Sequence, residues 1–335
     1  MNIIVTGGAG FIGSNFIRYW LERHNDNIFN YDYLTYAGNL ENLCDISNDS
    51  RYYFFEGDIN DISSLKLIVK NFKPDVIVNF AAETHNSYAI KNPSTFYRTN
   101  LMGTQCLLEI CRQNNIRFHH ISTCEVYGDT EINSRKKFKE DHPLLPNTPY
   151  SSSKACADLA VMAYFKTYGV PVTISRCCNN YGPYQFPEKL IPLFITNIAD
   201  EEKITLYKHS CNKREWLHVF DHCTAIDLII NKGKIGEIYN VGSGLEKSIE
   251  EISDIIIKHF NLDSSVKEYV EDRPGHDRRY LLDSSKIVKE LGWYSIVPFD
   301  HGISNTITWY MNNEKWWEPL KEKRFINENE WYNNF

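Results

Sequence analysis

Short apolar runs separated by helical patterns organise the first half of the chain. Ile3-Ile4-Val5, Ile28-Phe29-Asn30-Tyr31, Tyr52-Tyr53-Phe54-Phe55, Val76-Ile77-Val78 and Phe118-His119-His120-Ile121 read as strands, with helices near 13–24, 62–72 and 100–114. Strand and helix in alternation predict parallel strands joined by right-handed crossovers, hence an α/β fold with a Rossmann-type doubly wound parallel sheet. After about residue 180 the pattern breaks into stretches punctuated by Pro and Gly, such as Tyr181-Gly182-Pro183-Tyr184. The expected division is a dinucleotide-binding domain over 1–178 and a smaller mixed α/β substrate lobe over 179–335. Segments 172–175 and 238–241 are candidates to return to the main sheet. The tail from Asn312, rich in Trp, Asn, Glu and Lys, is expected to pack over the lobe or a partner subunit.

Composition narrows the class. The 335 residues include 42% hydrophobic and 24% charged positions, as in ordinary globular proteins. A net charge of −7 argues against nucleic-acid or anionic-membrane binding, which need a basic surface. No apolar run approaches membrane-spanning length and no charged leader precedes the first strand, so a cytoplasmic location is expected. Nine scattered cysteines without C-x-x-C spacing read as reduced thiols. The 21 Tyr and 18 Phe lack the basic interleaving of a single-strand-binding surface and read as core and pocket lining. His218 and His222 have i,i+4 spacing but no evident third ligand, so no metal is expected.

Chemistry begins directly after the first strand, at Thr6-Gly7-Gly8-Ala9-Gly10-Phe11-Ile12-Gly13-Ser14. Glycines at 7, 10 and 13 permit a tight turn, close approach of backbone N–H groups to a pyrophosphate, and close helix–strand packing. Asp32 ends the next strand, where its carboxylate can accept hydrogen bonds from ribose hydroxyls and repel a 2′-phosphate, favouring NAD over NADP. Asp58 at the tip of the third strand is a candidate for the adenine amino group. Farther on, Tyr150 and Lys154 are four residues apart at the start of a helix whose Ala155, Leu159 and Met162 are expected to face inward. The ammonium is expected to lower the phenol pKa, making Tyr150 a base near neutral pH. Ser122 and Thr123 end the fifth strand and can bond the same substrate hydroxyl.

On these residues the chain resembles the extended short-chain dehydrogenase/reductases and, more narrowly, the dTDP-glucose 4,6-dehydratase family. The resemblance runs from Met1 to about Tyr310. It is carried by the glycine motif, Leu34-Thr35-Tyr36-Ala37-Gly38-Asn39-Leu40, His119-His120-Ile121-Ser122-Thr123, Asn179-Asn180-Tyr181-Gly182-Pro183-Tyr184, Phe186-Pro187-Glu188-Lys189-Leu190-Ile191-Pro192, and the run from Asp272 to Tyr280. It implies an NAD-dependent dehydratase acting on a nucleotide-activated hexose. Tyr150 would take the C4 hydroxyl proton, with Lys154 and Thr123 as helpers and Glu125 as the base at C5. For the cofactor it implies Phe11, Ile12, Ile59, Ala81, Ala82 and Thr99 beside Gly7, Gly10, Gly13, Asp32, Asp58, Ser122, Tyr150 and Lys154. For the nucleotide sugar it implies His85, Ser87, Asn179, Lys189, Leu190, Arg214, Asn240, Arg273 and His276. A homodimer paired through helices near 100–114 and 150–168 is also expected.

Two departures accompany the resemblance. The family writes Ser-Thr-Asp-Glu-Val-Tyr-Gly where this chain has Ser122-Thr123-Cys124-Glu125-Val126-Tyr127-Gly128, so its usual general acid is replaced by a thiol. After His85 the family continues Val-Asp-Arg-Ser, whereas this chain reads Asn86-Ser87-Tyr88-Ala89. Three readings stay open: Cys124 is a working acid in a 4,6-dehydratase; hydride returns to C4 of a UDP-sugar, leaving a 5,6-unsaturated product; or the chain is a crippled form. A nucleotide-sugar 4-epimerase and a non-catalytic NAD-binding scaffold are the rival classes.

Overall fold

In the computed structural model, which describes residues 1–208 and 211–323, twelve strands are found. They are β1 (Asn2–Thr6), β2 (Asn27–Asp32), β3 (Tyr52–Glu56), β4 (Val76–Asn79), β5 (Arg117–Thr123), β6 (Val172–Cys177), β7 (Asn179–Tyr181), β8 (Ile204–Tyr207), β9 (Lys213–His218), β10 (Ile238–Val241), β11 (Glu246–Ser248) and β12 (Lys267–Val270). Seven make the main sheet in the order β10-β6-β5-β4-β1-β2-β3, every neighbouring pair parallel. The order reverses between β1 and β4, which opens a crevice at the carboxyl ends of the strands, where Thr6, Asp32, Asn79 and Thr123 lie. Both candidate returning segments, as β6 and β10, join this sheet.

Burial on both faces explains the continuous apolar runs. Ile3 and Val5 point to one side, against Phe16 and Trp20 of helix Phe11–Arg23 and Ile226 of helix Val219–Lys232. Ile4 points to the other, against Leu65, Leu107, Leu108 and Val161 of helices Ile62–Phe72, Thr104–Asn114 and Pro149–Tyr168. Each fully buried aliphatic side chain contributes about 2 kcal/mol of transfer free energy. A second core joins helices Leu190–Ala199, Ile249–His259 and Phe299–Asn312 with Trp317, beside the small sheet β11-β9-β7 and the pair β12-β8. Trp317 belongs to helix Glu314–Lys321, so the start of the Trp-rich tail packs on this lobe. Residues 324–335 of that tail lie outside the described residues.

The helix carrying Tyr150 and Lys154 is fixed at its start. Thr148 caps it by accepting from Ser151 N, the Ser151 hydroxyl accepts from Thr148 N at 3.0 Å, and Pro149 opens the first turn. Such a reciprocal cap is worth about 1 kcal/mol. One expectation fails here. Leu159 is 62% exposed, because the buried stripe runs through Tyr150, Lys154, Ala157, Asp158 and Val161 and leaves it on the opposite side.

Candidate active site

A cavity of about 490 Å³ opens at the crevice and is walled by residues from both lobes. Its floor is the turn after β1. Gly7 sits at φ +68°, and a Cβ there would lie 2.6 Å from the Ala81 nitrogen; a Cβ on Gly13 would lie 2.4 Å from the Gly7 oxygen. Any side chain at either position would therefore fill the cradle. Gly10 caps the helix Phe11–Arg23 without a side-chain hydrogen bond, so the dipole and N–H groups of that helix face the cavity unopposed by a cap. The buried Ser122 hydroxyl, also in the wall, has no hydrogen-bond partner among the described residues. Cradle, bare helix end and orphan hydroxyl fit a dinucleotide and its diphosphate.

Asp32 ends β2 in the same wall. Its two oxygens accept from Ala9 N at 2.9 Å and Leu34 N at 2.8 Å, while burial raises its carboxyl pKa against those hydrogen bonds. Phe11, Ile12, Asp58, Ile59, Ala81, Ala82 and Thr99 also line the cavity. Asp58 additionally pairs with Arg98 at 3.2 Å.

Thr123, Cys124, Glu125, Tyr150 and Lys154 line the same cavity. Burial, then the charge of Glu125, holds the Tyr150 phenol well above its ordinary range, while a hydrogen bond with Thr123 favours the phenolate. The expected lowering by Lys154 does not offset this burial. The ammonium is turned to the Ile121 carbonyl, 2.6 Å away, and burial brings Lys154 itself down to about 8. The Cys124 thiol is held well above its usual range by burial and then by Glu125, so it stays protonated at neutral pH. Glu125 accepts from the Asn86 amide at 3.0 Å.

The nucleotide-sugar residues divide. Asn179 and Lys189 line the cavity; the Tyr280 hydroxyl donates to Asn179 at 2.9 Å, and Lys189 donates to the Thr84 carbonyl at 3.3 Å. His85, Ser87, Leu190, Arg214, Asn240, Arg273 and His276 are not in its wall. Asn240 is wholly buried, accepting from the Tyr127 hydroxyl and donating to the Phe138 carbonyl, so its amide is engaged in holding the lobe. Arg214 donates to the carbonyls of Lys213 and Asp277 and lies 4.7 Å over the Tyr280 ring. Leu190 begins a helix packed on the second core, and Ser87 is buried in helix Asn86–Lys91. His276 bonds Asp272 at 2.7 Å, and His85 faces Glu188 at 3.7 Å, with burial lowering each imidazole to about 4. Arg273 keeps one buried guanidinium nitrogen without a partner among the described residues, a donor aimed at no protein group.

Several wall residues were given no role at this site from sequence, His222 among them, which was weighed only as a metal ligand. Glu83 and Glu188 both line the cavity, and burial followed by the charge of Glu188 raises the Glu83 carboxyl. Cys177, Cys178, Asn180 and His222 form a cluster at the end of β6. Asn180 donates to the Cys177 sulfur at 2.9 Å and accepts from His222 at 3.0 Å. Burial alone would raise the Cys177 thiol, but hydrogen bonds from Cys178, His222 and Asn180 bring it below its usual range. His218, the other half of the i,i+4 pair, instead caps its helix by accepting from Phe220 N.

A model of the family described as GDP-mannose 4,6 dehydratase matches residues 4–306. The dTDP-glucose 4,6-dehydratase of Streptomyces niveus is 45% identical over 96% of this chain and 96% of its own length. The chain belongs to the dTDP-glucose 4,6-dehydratase family. Two solved structures of enzymes with that name, both with NAD bound, superpose along nearly the whole chain. The one from Bacillus anthracis has a TM-score of 0.90 at 47% identity, covering 96% of this chain and 99% of that one. The one from Streptomyces venezuelae reaches 0.92 at 46%, covering 96% and 100%. Cys124 and Asn86 converge on one carboxylate: Cys124 neighbours Glu125, and Asn86 bonds it.

Proposed function

We propose that this chain is an NAD-dependent dTDP-glucose 4,6-dehydratase. It oxidises C4, eliminates water across C5 and C6, and releases a 4-keto-6-deoxy sugar. The observation that carries this reading is that Thr123, Cys124, Glu125 and Tyr150 line one cavity together with the glycine cradle. Bound NAD, held by the cradle, Asp32 and Lys154, supplies the group that accepts hydride from C4 and returns it to C6.

The side chains then move protons. Thr123 bonds the Tyr150 hydroxyl, and the phenolate takes the C4 hydroxyl proton as that carbon becomes a ketone. The ketone acidifies C5–H, which Glu125 removes. Cys124, kept as a thiol by burial, gives its proton to the C6 hydroxyl, which leaves as water. Glu125 exchanges its proton with solvent and delivers a solvent proton to C5, and the proton from Tyr150 restores Cys124 through solvent. Substrate is converted to product plus one water.

Asn179 and Lys189 bind the sugar diphosphate within this cavity, and the unpartnered Arg273 nitrogen is a further candidate donor to the phosphates. Division into a cofactor domain over 1–178 and a substrate lobe over 179–335 belongs to the same proposal, as does a cytoplasmic location. No helix among the described residues is long and apolar enough to cross a membrane. A homodimer is part of it too, supported by exposed Met102 (51%) and Leu159 (62%) on the two helical segments expected to pair.

Incubation with dTDP-glucose, UDP-glucose and UDP-N-acetylglucosamine, with products read by mass and proton spectra, tests the reading. Loss of water with a new C6 methyl doublet from dTDP-glucose is expected. Vinyl protons would establish the 5,6-unsaturated outcome instead. Isomerisation without loss of water would make the chain an epimerase, and absence of turnover would leave a scaffold.

A further inference from the structure

We infer that Asn86 is a positioning residue that locks the base Glu125 to the start of the helix bearing Tyr150. The inference rests on the dehydratase reading above. Asn86 opens the stretch Asn86-Ser87-Tyr88-Ala89 that follows His85. Its two amide atoms reach different catalytic segments. Nδ2 donates to Glu125 Oε2 at 3.0 Å, and Oδ1 accepts from the Thr148 hydroxyl at 2.7 Å. Thr148 is itself the N-cap of helix Pro149–Tyr168, accepting from Ser151 N.

This chain of bonds links the turn after β5, which presents Thr123, Cys124 and Glu125, to the turn that presents Tyr150. Asn86 is held in turn by its place at the first position of helix Asn86–Lys91, where the His85 ring accepts from Tyr88 N at 3.1 Å. The bridge fixes one oxygen of Glu125. Among the described residues Oε1 takes no hydrogen bond, which leaves it to meet the C5 proton. An amide, planar and short, suits this work because it donates and accepts at once. A misplaced base loses rate steeply even when substrate still binds.

Two substitutions separate the roles. Asn86→Val removes both bonds. Asn86→Asp keeps an acceptor for Thr148 but sets a carboxylate against Glu125. With dTDP-glucose, appearance of reduced cofactor reports C4 oxidation, and loss of deuterium from C5-labelled substrate reports the base. Both variants are expected to slow C5 deuterium loss about tenfold, with KM and C4 oxidation within about twofold of the parent. The thermal melting point of Asn86→Asp should stay closer to the parent than that of Asn86→Val. Unchanged C5 loss in both variants, or C4 oxidation and C5 loss falling together, overturns the inference while leaving the function intact. If the unaltered chain leaves dTDP-glucose unoxidised, the function and this inference fall together.

Discussion

Replacing Cys124 by Ala removes the one hydrogen that the proposed elimination draws from the protein at C6. Cys124 is buried within the wall that holds Glu125 and Tyr150, and burial with the neighbouring carboxylate keeps its sulfur protonated. A positioned general acid contributes about 10²- to 10⁴-fold. A thiol donates a weaker hydrogen bond than a carboxylic acid, and water can enter the space its sulfur vacates, so the lower end applies. Elimination should slow about 100-fold, equivalent to about 2.7 kcal/mol of barrier. Folding stability should fall by only about 1 kcal/mol, the cost of one buried sulfur. Rapid mixing with dTDP-glucose separates the steps: reduced cofactor reports C4 oxidation, and the mass of quenched sugar reports loss of water. Reduced cofactor should accumulate in Cys124→Ala, since oxidation proceeds and elimination stalls. Cys124→Asp should eliminate at least as fast as the parent, because burial beside Glu125 keeps an aspartic acid protonated. If Cys124→Ala loses water within about threefold of the parent rate, the thiol donates no proton and another acid must be sought.

Two further outcomes follow from the geometry. Gly7→Ala forces a side chain into a φ of +68° with its Cβ 2.6 Å from backbone, which should destabilise the fold by about 3 kcal/mol in urea titration and abolish NAD binding in calorimetry. Lys154 has a folded pKa of about 8 against an ordinary value of 10.5, so the unfolded chain binds its proton more tightly. The difference in unfolding free energy between the parent and Lys154→Met should be flat below pH 8. It should move in favour of the parent as pH rises above 8, by on the order of 3 kcal/mol if followed to 10.5. A difference independent of pH across that window would show that Lys154 is not penalised by burial.

The sheet was legible because its central strands β1 and β4 are buried on both faces and so carry continuous apolar runs. The cradle was legible because only glycine satisfies Gly7 and Gly13, where a Cβ meets backbone. Side-chain roles were less so, since a motif records that a residue is required without saying by what. Asn240 and Arg214 lie in stretches associated with the nucleotide sugar, yet their polar atoms hold the protein's own groups: Tyr127 and Phe138 for one, Lys213 and Asp277 for the other. Asn86 was the reverse case. It was visible only as a departure, because a bridge between positions 86, 125 and 148 leaves no periodicity in sequence.

What the two departures share is their place in the reaction. Cys124 and Asn86 both meet Glu125. The thiol at position 124 offers Glu125 a weaker hydrogen-bonding neighbour than a carboxylic acid would. An added amide gives Glu125 a fixed partner in exchange. On the proposed mechanism the pair is expected to act on the timing of C5 deprotonation against C6 departure and to leave C4 oxidation alone. Combining Cys124→Asp with Asn86→Val should accordingly give an enzyme whose elimination is faster than that of Asn86→Val alone. Equal rates would mean that the two substitutions arose without reference to each other.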